Sequence, residues 1–188
     1  MPRLRLLLLA LCTVMPGTLL VRDAAAQAPV GVPTTPATPA TAAAPAPPPI
    51  MAYGPPVTLE PALKALAAAK AEADKNNWPV AIVVVDPSGY IVALHRLDNT
   101  QLASIEVAIE KAKTAALFRR PTKVFEDLMA AGGSGLRVLK LPGALPVEGG
   151  LPIVVDGKVI GGIGVSGVTS SQDAQVASAG LTVFAPAK

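Results

Sequence analysis

The spacing of apolar residues changes period several times along the chain, and each change marks a predicted element. Behind Thr58, a residue suited to cap a helix, Leu59, Leu63, Leu66 and Ala67 recur at helical spacing, with Pro61 in the first turn; a helix is predicted to about residue 76. Asn76, Asn77 and Pro79 break it, and residues 80–85 form a continuous β-branched run, the pattern of a buried strand. Asp86-Pro87-Ser88-Gly89 has the composition of a tight turn, so residues 90–97 are expected to return antiparallel. Residues 103–118 regain the helical period, with Ile105, Ala108, Ile109, Ala112 and Ala116 on a face of small residues that allows close approach to a sheet.

Pro121 ends that helix, and Thr122 is placed to cap a short one running to about residue 130. The Gly132, Gly133, Ser134, Gly135 stretch reads as a mobile or tightly turned loop, followed by a short extended piece and a second loop over residues 142–150. Residues 151–155 and 158–165 flank Asp156-Gly157, a strong hairpin signal. Ser170 with Asp173 resembles a capping box and opens a last helix to about residue 184. The order predicts an α+β domain with an antiparallel sheet and helices packed on it; no repeated strand-helix-strand unit suggests a parallel nucleotide-binding sheet.

Ahead of this domain the pattern is different. Arg3 and Arg5, an apolar run over residues 6–21, and Ala24, Ala25 and Ala26 make the three parts of a secretory signal, with cleavage expected after Ala26. An uncleaved anchor is the alternative, against which stand Pro16, Gly17 and a run shorter than the roughly 20 residues of a spanning helix. Leu11 before Cys12 does not suit a lipoprotein signal. Residues 27–56 are rich in Pro, Ala and Thr and read as an extended linker, so the expected division is signal 1–26, linker 27–56 and domain 57–188.

Cleavage would change both charge and chemistry. The full chain has 16 basic and 13 acidic residues and a net charge of +3; losing Arg3, Arg5, Arg22 and Asp23 leaves 13 and 12, a net +1. A nearly neutral protein with 3% aromatic residues lacks the basic, stacking surface that nucleic acid requires. Cys12, the only cysteine, departs with the signal, which excludes disulfides, thiol nucleophiles and thiolate metal sites. No stable membrane span is expected after cleavage, and the expected location is periplasmic or secreted.

Asp86-Pro-Ser-Gly-Tyr, His95-Arg96-Leu97-Asp98, Lys111-Ala-Lys-Thr-Ala-Ala-Leu-Phe118, Gly149-Gly-Leu-Pro, Asp156-Gly and Gly162-Ile-Gly-Val-Ser-Gly167 with Gln172-Asp173 follow one another in an order and spacing that resemble the GlcG/HbpS family, also called the haem-degrading domain family. The resemblance runs over residues 58–184. It implies a profilin-like three-layer α/β/α fold with a five-stranded antiparallel sheet, assembly into homo-oligomers up to octamers, and for several members binding of haem or a related tetrapyrrole. Other members are fused to cobalamin enzymes or encoded beside glycolate oxidation genes.

His95 is the only histidine and so the only imidazole available to haem iron; it is either that ligand or an ordinary occupant of one face of the hairpin. Arg96 and Asp98 alternate away from it and suit an ion pair holding the hairpin to a helix. Lys111 and Thr114, three apart on one helix, are candidate contacts to haem propionates and iron, while Lys113 points elsewhere. Arg119 and Arg120 either complement the helix C-terminus or capture a carboxylate or haem propionate. Gly161, Gly162, Gly164 and Gly167 lack the strand-loop-helix context of a phosphate cradle and signal close backbone approach. Ser166 sits in an incomplete nucleophile elbow, and Asp86, Asp98, Glu106 and Asp173 form no pair with catalytic spacing, so no enzyme activity is assigned. The expected function is an exported haem-binding or haem-sensing oligomer with His95, Thr114, Lys111 and Arg120 at the site. The alternatives are an accessory protein or enzyme of hydroxy-acid or cobalamin metabolism, or a structural oligomer without a ligand.

Overall fold

The computed structural model describes residues 50–185. The expected signal and most of the expected linker therefore lie outside the described residues. The elements run β1 (Ala52–Tyr53), α1 (Leu59–Asn76), β2 (Ala81–Val85), β3 (Ile91–Arg96), α2 (Ser104–Phe118), α3 (Lys123–Ala130), a 3-10 helix (Gly133–Lys140), β4 (Gly150–Val155), β5 (Lys158–Ser166), α4 (Ser170–Leu181) and a 3-10 turn (Thr182–Phe184). No helix among the described residues is long and apolar enough to cross a membrane.

β5 is the hub of the sheet. β4 and β2 both pair antiparallel with it, and β3 pairs antiparallel with β2 alone and so forms an edge. Both expected hairpins are present. Asp156 and Gly157 take φ of 50° and 71°, the left-handed pair that a two-residue hairpin turn demands. In the other turn the Asp86 carboxylate accepts from the backbone N–H groups of Ser88 and Tyr90 at 2.8 and 2.9 Å. The fifth strand, β1, pairs in parallel with β5 at Lys158 and Val159. It corrects two expectations: the sheet is not wholly antiparallel, and folded structure begins inside the stretch read as linker.

The sheet separates two apolar layers. Ile82, Val84, Ile163 and Val165 meet α1 and α4 on one face, while Ala81, Val83 and Val85 meet α2 on the other, the α/β/α arrangement that the resemblance implied. On α1 the buried side is Ala62, Ala65, Leu66, Ala69 and Ala73, whereas Leu59 and Leu63 are 56% and 44% exposed. The expected apolar face is thus rotated, because alanines let α1 settle closer to the sheet than leucines would.

The caps also differ from expectation. Neither Thr58 nor Thr122 makes a side-chain cap hydrogen bond. The capping box of α4 is Thr169 with Gln172, one residue earlier than Ser170 with Asp173. The residues after Gly132, expected as loop and extended chain, coil into the 3-10 helix instead.

Candidate ligand-binding site

The position of α2 decides what its polar residues can do. A Cβ added at Gly164 would lie 2.1 Å from the carbonyl oxygen of Ala108, and one at Gly162 would lie 2.4 Å from that of Ala112. Helix backbone therefore rests directly on β5, the close approach that the glycines and alanines predicted. With no gap between the layers, every polar side chain on the inner side of α2 must find its partner inside the protein.

Lys111 does so twice. Its side chain is 1% exposed, and Nζ donates to the Asp173 carboxylate at 2.7 Å and to the carbonyl of Val165 at 3.0 Å. Asp173, one residue past the true capping box, also accepts from the backbone N–H of Val168 at 3.3 Å. Burial pushes the Asp173 carboxyl above its ordinary value of 3.8, opposed by the Lys111 ammonium. Gly149, at φ 118°, passes so close that a Cβ there would stand 2.8 Å from Lys111 Nζ. Lys111 is thus an internal strut rather than a contact for a propionate, which corrects its assignment as a ligand residue.

Thr114 is equally enclosed. Its hydroxyl donates to the carbonyl of Gly143 at 3.0 Å and accepts from the backbone N–H of Leu145 at 2.9 Å, pinning the loop before β4 to α2. Thr122 anchors the end of the same loop: its hydroxyl accepts from the N–H of Gly150 at 2.9 Å. The Thr114 hydroxyl thus both donates and accepts within the protein, and its place is structural rather than at a ligand.

Past the end of α2 the two arginines part company. Arg119, left-handed at φ 54°, donates to the carbonyl of Met51 at 2.7 Å and lies 5.0 Å over the Tyr53 ring, so it clasps β1. Arg120 is exposed; its Nε donates to the carbonyl of Phe118 at 3.1 Å and its guanidinium lies 5.8 Å from the Phe125 ring centroid. Arg120 remains accessible to an anion at the rim of a cleft of about 350 Å³ shared with Met51, Phe118, Pro121 and Val124.

His95 stands on the other side of the sheet. It pairs with Ile82 on edge strand β3, and residues directly opposite share a face, so its side chain leaves toward the layer of α1. Lys111 and Thr114 belong to the α2 layer; the sheet separates them from His95, and the expected four-residue constellation does not assemble within one chain. Arg96 alternates to the face opposite His95, as expected, but neither Arg96 nor Asp98 joins an ion pair among the described residues, so the proposed tie to a helix is absent.

The imidazole is half-buried, and its Nδ1 is fully enclosed without a hydrogen-bond partner. A metal-bound histidine coordinates through one ring nitrogen and usually has the other oriented by a hydrogen bond. His95 meets the donor requirement for haem iron with an uncommitted ring on an open sheet edge; an orienting partner for Nδ1 is not supplied by the described residues. Among those residues no group of three or more His, Cys, Asp or Glu converges to hold a bare metal ion.

Known proteins resemble this chain in sequence and in fold. Residues 57–182 match the family described as haem degrading protein HbpS-like. Protein GlcG of Escherichia coli strain K12 is 46% identical over 101 residues, which are 54% of this chain and 74% of GlcG. The corrinoid adenosyltransferase PduO of Salmonella typhimurium is 30% identical over 119 residues, 62% of this chain but only 35% of that protein. Among solved structures, a double-mutant form of Streptomyces reticuli HbpS superposes with a TM-score of 0.65 at 33% identity, covering 76% of this chain and 100% of that one. The PduOC:heme complex superposes at 0.62 with 26% identity, over 68% of this chain and 94% of that one.

Proposed function

The chain belongs to the HbpS-like family of haem-degrading proteins, and from that premise we propose that it is an exported, oligomeric haem-binding or haem-sensing protein of the periplasm or the extracellular space, with His95 as the iron ligand. The observation that carries the site is the uncommitted, half-buried imidazole of His95, the chain's only histidine, on the free edge of the sheet. Haem suits such a position because a flat, largely apolar ring can lie along a sheet edge while one imidazole nitrogen supplies the axial bond. The likeness to a structure solved with haem supports the same ligand class. Export rests on the basic, apolar and small-residue segments of residues 1–26. Oligomerisation would cover exposed apolar side chains such as Leu102 at 79% and Leu139 at 58% exposure, and a second copy could bring the partner that His95 Nδ1 lacks.

Titration of the protein with hemin tests the assignment. A saturable Soret shift that is lost in His95→Ala, with an unchanged far-ultraviolet circular dichroism spectrum, is the expected result. A shift indifferent to that substitution removes His95 from the site, and no shift at all removes haem. The likeness to part of a corrinoid adenosyltransferase favours a second reading, accessory binding of a corrinoid; the same titration with cobalamin, giving a spectral change where hemin gives none, would select it.

A further inference from the structure

We infer a site for a small carboxylate anion at the N-terminal end of α2, where that helix meets the end of β5. The packing of the helix on the strand places its parts. Gly162 lies against Ala112 and Ala116, and Gly164 against Ala108 and Ala112, so each step of two residues along β5 moves four residues back along α2. The rises agree, about 6.6 Å for two strand residues and about 6 Å for four helical ones. One more step brings Ser166, the last residue of β5, beneath Ser104, the first residue of α2. His95 is on the other face of the sheet, so the inference does not rest on the haem reading.

At this point glycine and alanine give way to hydroxyls. Ser104 and Ser166 are 2% and 7% exposed, yet neither side-chain oxygen has a hydrogen-bond partner among the described residues, whereas the Thr100 hydroxyl, four residues earlier, donates to the carbonyl of Leu97 at 2.7 Å. Neither serine oxygen is sealed in: among the described residues the fully enclosed side-chain atom without a partner is Nδ1 of His95. A hydroxyl this deeply buried is costly without an acceptor, and two side by side call for a partner that enters from outside.

The helix end decides the kind of partner. Ala103 stands at the cap position, and no side chain caps α2. The N–H groups of Ser104 and Val107 donate to the carbonyls of Gln101 and Ala103 at 3.0 and 3.2 Å, but those of Ile105 and Glu106, between them, have no acceptor among the described residues. Two N–H and two O–H donors at the positive end of a 15-residue helix select an anion. A carboxylate matches the set, since it only accepts and offers about four lone-pair directions. Its single charge matters as well. The exposed Glu106 carboxylate in the first turn opposes a dianion, while exposed Arg96, in the row Ser166, Ala81, Arg96 across the sheet, brings a cation to the same face. With the Ala108 carbonyl already against Gly164, there is room for a small head group only.

Titration of the unmodified protein with sodium formate at constant ionic strength, followed through backbone amide resonances, tests the site. Saturable shifts at Ile105 and Glu106 are expected with formate and not with chloride. Ser104→Ala and Ser166→Ala are each expected to weaken formate binding about tenfold and to leave the Soret response to hemin unchanged. Absence of a saturable shift overturns the site and leaves water as the partner of the two hydroxyls. Equal shifts with chloride overturn the carboxylate, and tighter binding of phosphate, largely a dianion at about pH 8, overturns the single charge. These comparisons on the unmodified chain stand even where a variant fails to fold. Undiminished binding in both variants overturns the roles of Ser104 and Ser166.

Discussion

Two regions of this small domain, the interior around α2 and the free edge at β3, use polar residues in opposite ways. On the α2 side, glycines on β5 bring helix backbone into contact with sheet backbone, and Lys111, Thr114, Thr122 and Asp173 are each bonded to a partner inside the protein. At the β3 edge no strand follows, and His95, Arg96 and Asp98 are left without ion-pair partners among the described residues. Residue type alone does not distinguish the two groups. A lysine and a threonine on one helix look as suited to a ligand as a histidine on a strand, until the packing density around each is known.

The sharpest way to break this contrast is to separate α2 from the sheet. Gly164→Ala places a methyl group against the Ala108 carbonyl, and a loss of about 3 kcal/mol or more is expected in urea unfolding, the upper end for overpacking. An unfolding midpoint close to that of the unmodified chain would show that the helix yields, and that contact with β5 is not what encloses Lys111.

Lys111→Met comes next, because it leaves the Asp173 carboxylate buried without its counter-charge. A loss of about 3–5 kcal/mol is expected, most of it regained when Asp173→Leu is added. Thr114→Val removes two hydrogen bonds to the loop before β4 and should cost about 1–2 kcal/mol, with hydrogen exchange at the Leu145 amide accelerated more than at β5 amides. Equal protection of Leu145 in both proteins would mean that the loop is held by other contacts.

Acid titration refines the α2 side further. Burial raises the Asp173 carboxyl above 3.8, so the folded protein holds that proton more tightly than the unfolded chain. The resulting stabilisation is fully present below pH 3.8 and is lost as pH rises through the raised folded value. Asp173→Asn should therefore flatten the stability profile in the window just above 3.8; an identical slope in the two proteins would assign it to other carboxylates. The smallest effect on stability belongs to the edge. His95→Ala is expected to change unfolding by less than about 1 kcal/mol, even where it abolishes the response to hemin. A large loss there would make His95 a packing residue like those under α2.

Much of the fold was legible because it depends on local period. The β-branched run of β2, the Asp156-Gly157 turn and the small-residue face of α2 all announce themselves within a few residues. β1 was not legible: two residues have no period, and their parallel pairing with Lys158 and Val159 spans over a hundred positions. On α1 the leucines drew the predicted face away from the true one, since apolar size and burial part company where close approach selects alanine. Of the four expected site residues, His95 and Arg120 keep accessible polar groups, whereas Lys111 and Thr114 do not. No local signal marks the Lys111–Asp173 pair, whose members lie 62 positions apart and whose acid sits beside a capping motif that explains it equally well.

The order of the four α-helices and the two hairpins, the glycines that must meet a helix, the absence of thiols after Ala26 and the single imidazole were determined by the sequence alone, because composition and short-range spacing suffice for each. Which polar groups are consumed in holding the domain together, and which are left at an edge to meet something else, was decided only by tertiary structure. The physical reason is that a buried charge or hydroxyl takes its role from whatever backbone or counter-charge packs against it, and those partners arrive from distant parts of the chain.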